Sequence, residues 1–382
     1  MQRSAERFLT THVGSLPRPD DLVRTMFAQE EGVPIDPAAL GRRVRDAVDE
    51  VVGLQVDAGV DLVNDGEMSK PSYATYPKYR LTGFDGESVI FGYRDLADFP
   101  AMAERVASDP GRSRRRTPAC TGPIAPTTDD AVHHDVDNLL ATAGSPTGRF
   151  LTAASPGLVA LFFDNQYYAT YEEYLFAIAD AMRPEYEAIA AAGITVQLDC
   201  PDLAMGRHVK YADLTVGEFR ERVRQNLEAI DHATAGIDPE LLRMHVCWGN
   251  YDGPHHRDIP FAEIVDLVLR ARPTGVAFEA ANPRHAHEFT VFDDVALPDG
   301  TTLIPGVLES KTNVIEHPEL VAQRLARYAE RVGAENVVAG TDCGYGTWVG
   351  QAAVDPQVVW AKFAAMAEGA RLASGRFFRA RA

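Results

Sequence analysis

The sequence lacks a hydrophobic run long enough to cross a membrane. The chain has 382 residues, and it contains no stretch of about 18 or more consecutive apolar residues. Its first ten residues, MQRSAERFLT, lack the apolar segment that is typical of a signal peptide. We therefore expect no contact with a membrane and a cytoplasmic location.

Basic residues are scarce. Lysine and arginine together number 37 against 55 aspartates and glutamates, which gives a formal net charge of -18 at pH 7. A nucleic-acid surface needs clustered Lys and Arg to neutralise phosphates, so this balance argues against nucleic acid as a partner. The one basic run, GRSRRR at 111–116, is interpreted as a solvated loop.

Cysteine is also rare, with four residues in the chain. So few thiols in a chain of this length do not make a disulfide framework. In a reducing compartment such cysteines are metal ligands, catalytic groups or buried side chains. We expect Cys120 and Cys200 in the core, because Cys200 follows Asp199 and so points away from it in a regular strand.

Short β-rich runs alternate with longer helical patterns along the chain. The predicted strands are 7–15, 60–67, 149–156, 194–202, 242–250, 274–282, 302–310 and 336–344. The predicted helices are 38–58, 170–192, 215–234, 260–271, 317–332 and 355–373. This alternation predicts an α/β fold with a parallel sheet, and eight units predict a (β/α)8 or TIM barrel. An open doubly wound sheet is the alternative, and the missing G-x-G-x-x-G weakens it.

Residues 85–147 interrupt the alternation with Gly, Pro, Arg and Asp and with weak periodicity. They are predicted to be an insertion after the second strand. No repeat or long low-complexity tract separates the rest of the chain. We therefore predict one catalytic barrel over 1–382.

Four metal-binding side chains follow the ends of predicted strands. His245 and Cys247 are two positions apart, so in a strand they share a face. Glu279 and Cys343 stand at two later strand ends, and in a barrel these ends meet at one mouth. Two thiolates, an imidazole and a carboxylate suit four-coordinate zinc. The alternative for each residue alone is an ordinary buried side chain.

Several motifs resemble one enzyme family across nearly the whole chain. They are THVGSLPRP, NDGEMSKPSY, QLDCPDLAMGRH, HVCWGNYDGPHH, FEAANPRHAHE and GTDCGYGT. They are similar to motifs of the vitamin B12-independent methionine synthases. The similarity is greatest to a shorter branch of that superfamily, which also contains epoxyalkane:coenzyme M transferases.

The resemblance implies roles for particular residues. Its zinc ligands fall on the four side chains named above. Its amino-acid-binding positions fall on Ser15, Glu67 and Asp199. The sequence matches only the catalytic barrel of the full-length synthases, which carry a second, N-terminal barrel that helps to hold polyglutamate folate.

The sequence departs from the family pattern at further positions. Lys311 stands where the family has a catalytic His after the seventh strand. Phe163, or its neighbour Phe162, stands in for a tryptophan that stacks on the pterin. His12 and Arg18 flank the first motif and are candidates for holding an anion. These changes bear on the methyl donor and the thiol acceptor and leave the metal ligands unchanged.

Zinc chemistry at such a site would activate a thiol. A free thiol is mostly protonated at neutral pH, and coordination removes its proton. Glu279 is the hardest of the four ligands and is our candidate for displacement by substrate sulfur. Lys311 is the candidate acid for the leaving group. The alternative acids are four histidines that follow strand ends: His255, His256, His285 and His287.

The predicted function is zinc-dependent alkyl transfer to a thiol. Its partners are a small-molecule thiol and an alkyl donor, and the favoured pair is homocysteine with a methyltetrahydrofolate-type donor. The first alternative is addition of coenzyme M to an epoxide. The others are a metal-free decarboxylase or lyase on a related barrel, and a binding barrel with a structural ion. The sequence does not specify an oligomeric state.

Overall fold

The computed structural model describes residues 2–89, 91–108, 117–127, 130–351 and 353–378. The basic run at 111–116 lies outside the described residues. No helix within the described ranges is both long enough and apolar enough to span a bilayer.

Seven strands form one parallel sheet, and each strand pairs with the next one along the chain. They are β1 (Leu62–Val63), β2 (Gly148–Ala154), β3 (Thr195–Asp199), β4 (Leu242–Val246), β5 (Gly275–Phe278), β6 (Thr302–Leu308) and β7 (Gly340–Thr341). Sequential parallel pairing places all the carboxyl ends at the same edge. The α/β class and seven of the eight predicted strand regions are confirmed.

The predicted first strand, 7–15, is wrong as a regular strand. It forms a single parallel bridge, between Thr10 and Ala339, and the carbonyl of Thr10 also accepts the amide of Leu62 at 3.0 Å.

Side chains from inside the sheet take the hydrogen-bonding groups that would extend this strand. Gln197 donates to the carbonyl of Val13 at 2.7 Å, and Arg243 donates to the carbonyl of His12 at 2.7 Å. The amide of Gly14 donates to the His12 ring at 3.2 Å. Because a ladder needs those same backbone groups, strand pairing stops here.

Helices cover the outer face of the sheet. They are α1 (Asp20–Glu30), α2 (Pro37–Asp57), α3 (Pro100–Ala107), α4 (Asp130–Leu140), α5 (Pro156–Phe162), α6 (Tyr171–Ala191), α7 (Gly206–Val209), α8 (Val216–Ala233), α9 (Val265–Val268), α10 (Pro318–Val332) and α11 (Pro356–Phe377). The helix predicted over 260–271 is reduced to α9 after a 3-10 turn, Phe261–Glu263. Glu288 accepts the amide of Phe261 at 2.7 Å and so caps the start of this turn.

The segment predicted as an insertion contains two of these helices. α4 packs against α2 and α6, the position of a crossover between β1 and β2. Two antiparallel bridges, Leu81 to Pro126 and Phe84 to Cys120, tie the segment to the chain before it. Phe91 and Tyr93, which line a cavity at the carboxyl edge, come from the part of the segment before α4.

Candidate metal centre

His245, Cys247 and Cys343 converge at the carboxyl edge of the sheet. His245 lies in β4, Cys247 follows that strand, and Cys343 follows β7. One ligand atom from each lies within 4.8 Å of the other two, and the two sulfurs are 3.8 Å apart. All three side chains are buried. Residues about a hundred positions apart are thus brought to one point by the sheet.

Glu279 approaches the same cluster from the end of β5. Its Oε1 lies 3.8 Å from the sulfur of Cys247 and accepts the amide of Trp248 at 3.0 Å. Its Oε2 accepts from Asn282 at 3.0 Å and from the Lys311 ammonium at 2.8 Å. Burial alone would raise the pKa of Glu279, but Lys311 reverses that effect and holds the pKa well below its usual range.

The ammonium of Lys311 forms an ion pair with the Glu279 carboxylate. Burial would lower the pKa of Lys311, but the Glu279 charge outweighs burial and raises the pKa above its ordinary value. Lys311 does not line the cavity beside the cluster.

Asp342 supports the cluster from behind. Its carboxylate accepts the amides of Ala280, Ala281 and Asn282 at 2.7, 2.8 and 2.5 Å. Its backbone carbonyl lies 3.1 Å from Nε2 of His245. The residue before Cys343 thus fixes the chain after Glu279. Asp342 and Asn282 were missed by the sequence reasoning, although both lie in the motifs that carry Cys343 and Glu279.

The Cys247 thiol resists ionisation in this environment. The adjacent Cys343 thiol, together with burial, raises the pKa of Cys247 well above its ordinary value. A bound cation removes this penalty, because metal coordination favours the thiolate. Cys120 and Cys200 are also free and buried, but they lie outside the cluster.

A cavity opens beside the cluster and contains three of the predicted substrate residues. Ser15, Glu67 and Asp199 line it together with the three clustered ligands. Asp199 lies 3.6 Å from His245 and accepts a hydrogen bond from Gln197 at 2.8 Å.

Glu67 is held in an unusual environment. Its backbone φ is 59°, a left-handed conformation that is uncommon outside glycine. Its Oε1 accepts from Thr152 at 3.0 Å, while its buried Oε2 has no hydrogen-bond partner among the residues that the structure describes. Burial and the neighbouring Asp199 charge raise the pKa of Glu67 to about 7.

His12 and Arg18 lie away from the cavity lining. Nε2 of His12 lies 2.8 Å from Gln55, and burial lowers the pKa of His12 to about 3. The Arg18 guanidinium donates to the carbonyls of Glu67, Lys70 and Gly346. His12 therefore has no charge to offer an anion, and Arg18 holds the backbone around Glu67.

Phe162 lines the cavity, whereas Phe163 does not. Phe163 is buried against Phe84, with ring centroids 4.9 Å apart. Phe162 ends α5 and the next residue leaves the helix, so the two rings diverge.

The four candidate histidines are also outside the cavity lining. His255 and His285 are buried and lie 2.8 and 2.9 Å from the same oxygen of Asp258. His256 pairs with Asp98 on the surface, and His287 is exposed.

Five aromatic side chains line the same cavity, and we call them the aromatic wall. This wall was not predicted from the sequence, because its members come from three separate loops and one helix end. They are Tyr73, Phe91, Tyr93, Phe162 and Trp348.

The fold and the cluster define a class of protein: a parallel α/β protein with a His-x-Cys, Glu and Cys donor set at its strand ends. Comparison with known proteins narrows this class. No family model matches the chain. Over 370 residues it is 26% identical to 2-hydroxypropyl-CoM lyase of Xanthobacter autotrophicus, covering 88% of both chains. It is 25% identical over 338 residues to methionine synthase of Sulfolobus acidocaldarius, covering 88% of this chain and 85% of that one.

Solved structures show the same fold. A B12-independent methionine synthase from Shewanella sp. W3-18-1 superposes with a TM-score of 0.75 at 19% identity, covering 97% of this chain and 98% of that one. A putative B12-independent methionine synthase from Listeria monocytogenes gives 0.63 at 18% identity, covering 96% and 97%. The chain is thus homologous to cobalamin-independent methionine synthases and to 2-hydroxypropyl-CoM lyase, and the predicted resemblance is confirmed.

Proposed function

We propose that this protein is an enzyme that transfers a methyl group to the sulfur of homocysteine, using zinc to activate the thiol. One observation carries the proposal: His245, Cys247 and Cys343 meet at one point, with Glu279 in contact. Its relatives include proteins named methionine synthase. A metal-free decarboxylase or lyase would have no use for this donor set.

The spacing of the donor atoms fits zinc. Two sulfurs bound to one tetrahedral zinc at about 2.3 Å lie about 3.8 Å apart. The sulfurs of Cys247 and Cys343 are 3.8 Å apart, and Cys247 is 3.8 Å from Oε1 of Glu279. Zinc at these residues would hold the acceptor as a thiolate at neutral pH. A mixed set with one carboxylate, facing a cavity, favours a catalytic over a structural ion.

Glu279 and Lys311 are proposed to act together. Lys311 neutralises Glu279 through the 2.8 Å ion pair, so this carboxylate has a second cation available when it leaves a metal. That supports Glu279 as the ligand displaced by substrate sulfur. Lys311 is better placed to position Glu279 than to protonate a leaving group, because it does not line the cavity.

Ser15, Glu67 and Asp199 are proposed to bind the amino-acid part of the acceptor. The buried Oε2 of Glu67 has no partner within the described residues, and a buried carboxylate oxygen needs a donor. An ammonium group supplies a charge-assisted hydrogen bond. The acidic pair favours homocysteine over the sulfonate of coenzyme M. Epoxide opening remains the second candidate, because of the similarity to 2-hydroxypropyl-CoM lyase.

We also propose that the sheet closes as an eight-membered barrel within a single domain. The segment around Thr10 hydrogen-bonds to Ala339 on one side and to Leu62 on the other. These contacts support this segment as the eighth member of the barrel. The methyltetrahydrofolate-type donor, the absence of nucleic-acid partners and the cytoplasmic location stay predictions.

The test is zinc binding together with methionine formation. Purified protein should hold about one zinc per chain, and X-ray absorption should detect an added sulfur ligand when homocysteine is supplied. Cys343→Ser should lose zinc and all transfer. Cys200→Ser is the matched control, because it removes a buried thiol outside the cluster. Full turnover of zinc-depleted Cys343→Ser would contradict the proposal.

A further inference from the structure

Four rings of the aromatic wall contact one another in a row. Tyr73 and Phe162 have centroids 6.1 Å apart and planes at 79°. Phe162 and Phe91 are 5.0 Å apart at 74°, and Phe91 and Tyr93 are 6.4 Å apart at 82°. Each ring is nearly perpendicular to the next, so the rings pack edge to face along the cavity lining. We call Tyr73, Phe91, Tyr93 and Phe162 the aromatic box.

Acidic side chains line the cavity beside the aromatic box. Glu67 and Asp199 line the same cavity, and no Lys or Arg is among the described residues that line it. Basic side chains behind the lining are engaged elsewhere: Lys311 with Glu279, Lys70 with Thr152, and Arg18 with three backbone carbonyls. An anionic tail, such as a glutamate carboxylate or a sulfonate, would therefore lack an ionic partner there.

Aromatic faces combined with carboxylates recognise alkylated cations. A cation over a ring face is attracted by the ring quadrupole, and aromatic cages are a common site for quaternary ammonium groups. The cavity thus has the composition of a site for positively charged ligands.

We infer that the methyl donor is an onium compound, either a sulfonium or a quaternary ammonium, whose charged methyl-bearing centre sits in the aromatic box. This inference rests on the proposed function, since it names the donor for the same acceptor sulfur. It replaces the methyltetrahydrofolate-type donor that the sequence resemblance implies.

The chemistry of an onium donor suits the residues present. The acceptor thiol loses its proton to solvent, and a sulfur lone pair forms the new S–CH3 bond. The bond from the methyl carbon to the onium centre breaks, and its electron pair stays on that nitrogen or sulfur, which leaves neutral. No acid is needed. This agrees with Lys311, His255 and His285 all lying outside the cavity lining.

Binding provides a test that does not depend on turnover. Titration calorimetry on the zinc-loaded full chain would compare choline with its neutral isostere 3,3-dimethylbutan-1-ol. Choline should bind roughly 5- to 30-fold more tightly, the range expected for a cation–π site. Phe162→Leu should lose most of this preference. Phe84→Leu should keep it, because Phe84 is buried outside the cavity. Equal affinity of the wild-type protein for the two probes would overturn the inference.

Donor competition in turnover provides the second test. Homocysteine would be supplied separately with S-methylmethionine, glycine betaine and methyltetrahydrofolate, and methionine or demethylated donor would be quantified. Turnover with either onium compound supports the inference and identifies the sulfonium or the ammonium source. Turnover with methyltetrahydrofolate alone overturns the inference and leaves the proposed function standing. If no donor works and homocysteine adds no sulfur to zinc, the proposed function fails, and the choline comparison alone decides the nature of the aromatic box.

Discussion

Glu67 and Glu279 are equally buried, with each side chain 1% exposed, but their carboxylates differ in hydrogen-bond partners. Glu279 has both oxygens satisfied by the protein, including the Lys311 ammonium. Glu67 has one oxygen on Thr152 and the other without a partner. Their pKa values diverge accordingly: Lys311 overcomes burial and holds that of Glu279 low, while burial raises that of Glu67 to about 7.

The difference separates two kinds of site carboxylate. Glu279 is stabilised before any ligand arrives, as expected of a group that must stay ionised for a metal. Glu67 is left destabilised in its ionised form, as expected of a group that is completed by substrate. Folding therefore bears a free-energy cost at Glu67 that ligand binding can recover.

Removing the cation that pairs with Glu279 should destabilise the protein more than any other change proposed below. Lys311→Met would leave a buried carboxylate unpaired, and we expect the metal-free protein to lose about 3–5 kcal/mol of unfolding free energy. Urea denaturation in EDTA measures this. The double variant Lys311→Met/Glu279→Gln should regain most of the loss. A loss below about 1 kcal/mol in the single variant would show that the ion pair contributes little.

Neutralising Glu67 should have the opposite effect and stabilise the protein at high pH. Below its ordinary pKa the carboxyl is protonated in both the folded and the unfolded state, and it contributes nothing. As pH rises from about 4.5 to about 7, the unfolded state ionises first, so wild-type stability falls. Glu67→Gln should therefore be more stable than wild type by about 2–3 kcal/mol at pH 8 and by much less at pH 5. Urea denaturation at both pH values measures the difference.

The matched control for that variant is Glu330→Gln, which alters an exposed glutamate on α10. It should change stability little at either pH. Equal stability of Glu67→Gln and wild type at pH 8 would mean that Glu67 is already satisfied, and that the contrast with Glu279 is mistaken.

The affinity for an amino-acid ligand should also depend on the ionisation of Glu67. Methionine carries the ammonium but has no titrating thiol, so its affinity should report on Glu67. Because the ionised carboxylate is needed, affinity should fall about tenfold per pH unit below about 7. Calorimetry from pH 5.5 to 8 would detect this step, and Glu67→Gln should bind weakly with no step. A pH-independent wild-type affinity would assign the ammonium to another group.

The sequence was sufficient for the carboxylate positions but not for their states. Strand periodicity predicts that Glu67 and Glu279 lie at strand ends, because parallel strands share one carboxyl edge. The opposite pKa shifts of Glu67 and Glu279 depend on which side chain of a distant loop contacts each carboxylate, as Lys311 contacts Glu279. Spacing along the chain does not predict such contacts.

The same reasoning explains the wrong prediction at the first strand and the different positions of Phe162 and Phe163. The segment 7–15 has strand composition, but interior side chains such as Gln197 and Arg243 bond its carbonyls. Phe162 and Phe163 differ by one position, and the end of α5 decides which ring faces the cavity. Both outcomes depend on tertiary contacts that local pattern does not encode.

A single hydrogen bond, from Thr152, should have a smaller effect on the pKa of Glu67. Thr152 donates to Oε1 of Glu67 at 3.0 Å, and such a bond favours the ionised form of a carboxyl group. Thr152→Val should therefore raise the pKa of Glu67 further and move the methionine-binding step upward by roughly 0.5–1 pH unit, equivalent to about 1 kcal/mol.

The matched control is Thr234→Val, because Thr234 is a buried threonine whose hydroxyl bonds the carbonyl of Ile230, away from the cavity. It should leave the pH midpoint of methionine binding unchanged. A midpoint that stays in place in Thr152→Val, or that moves downward, would mean that the hydrogen bond from Thr152 does not stabilise the ionised form of Glu67. The raised pKa would then be set by burial and by the Asp199 charge.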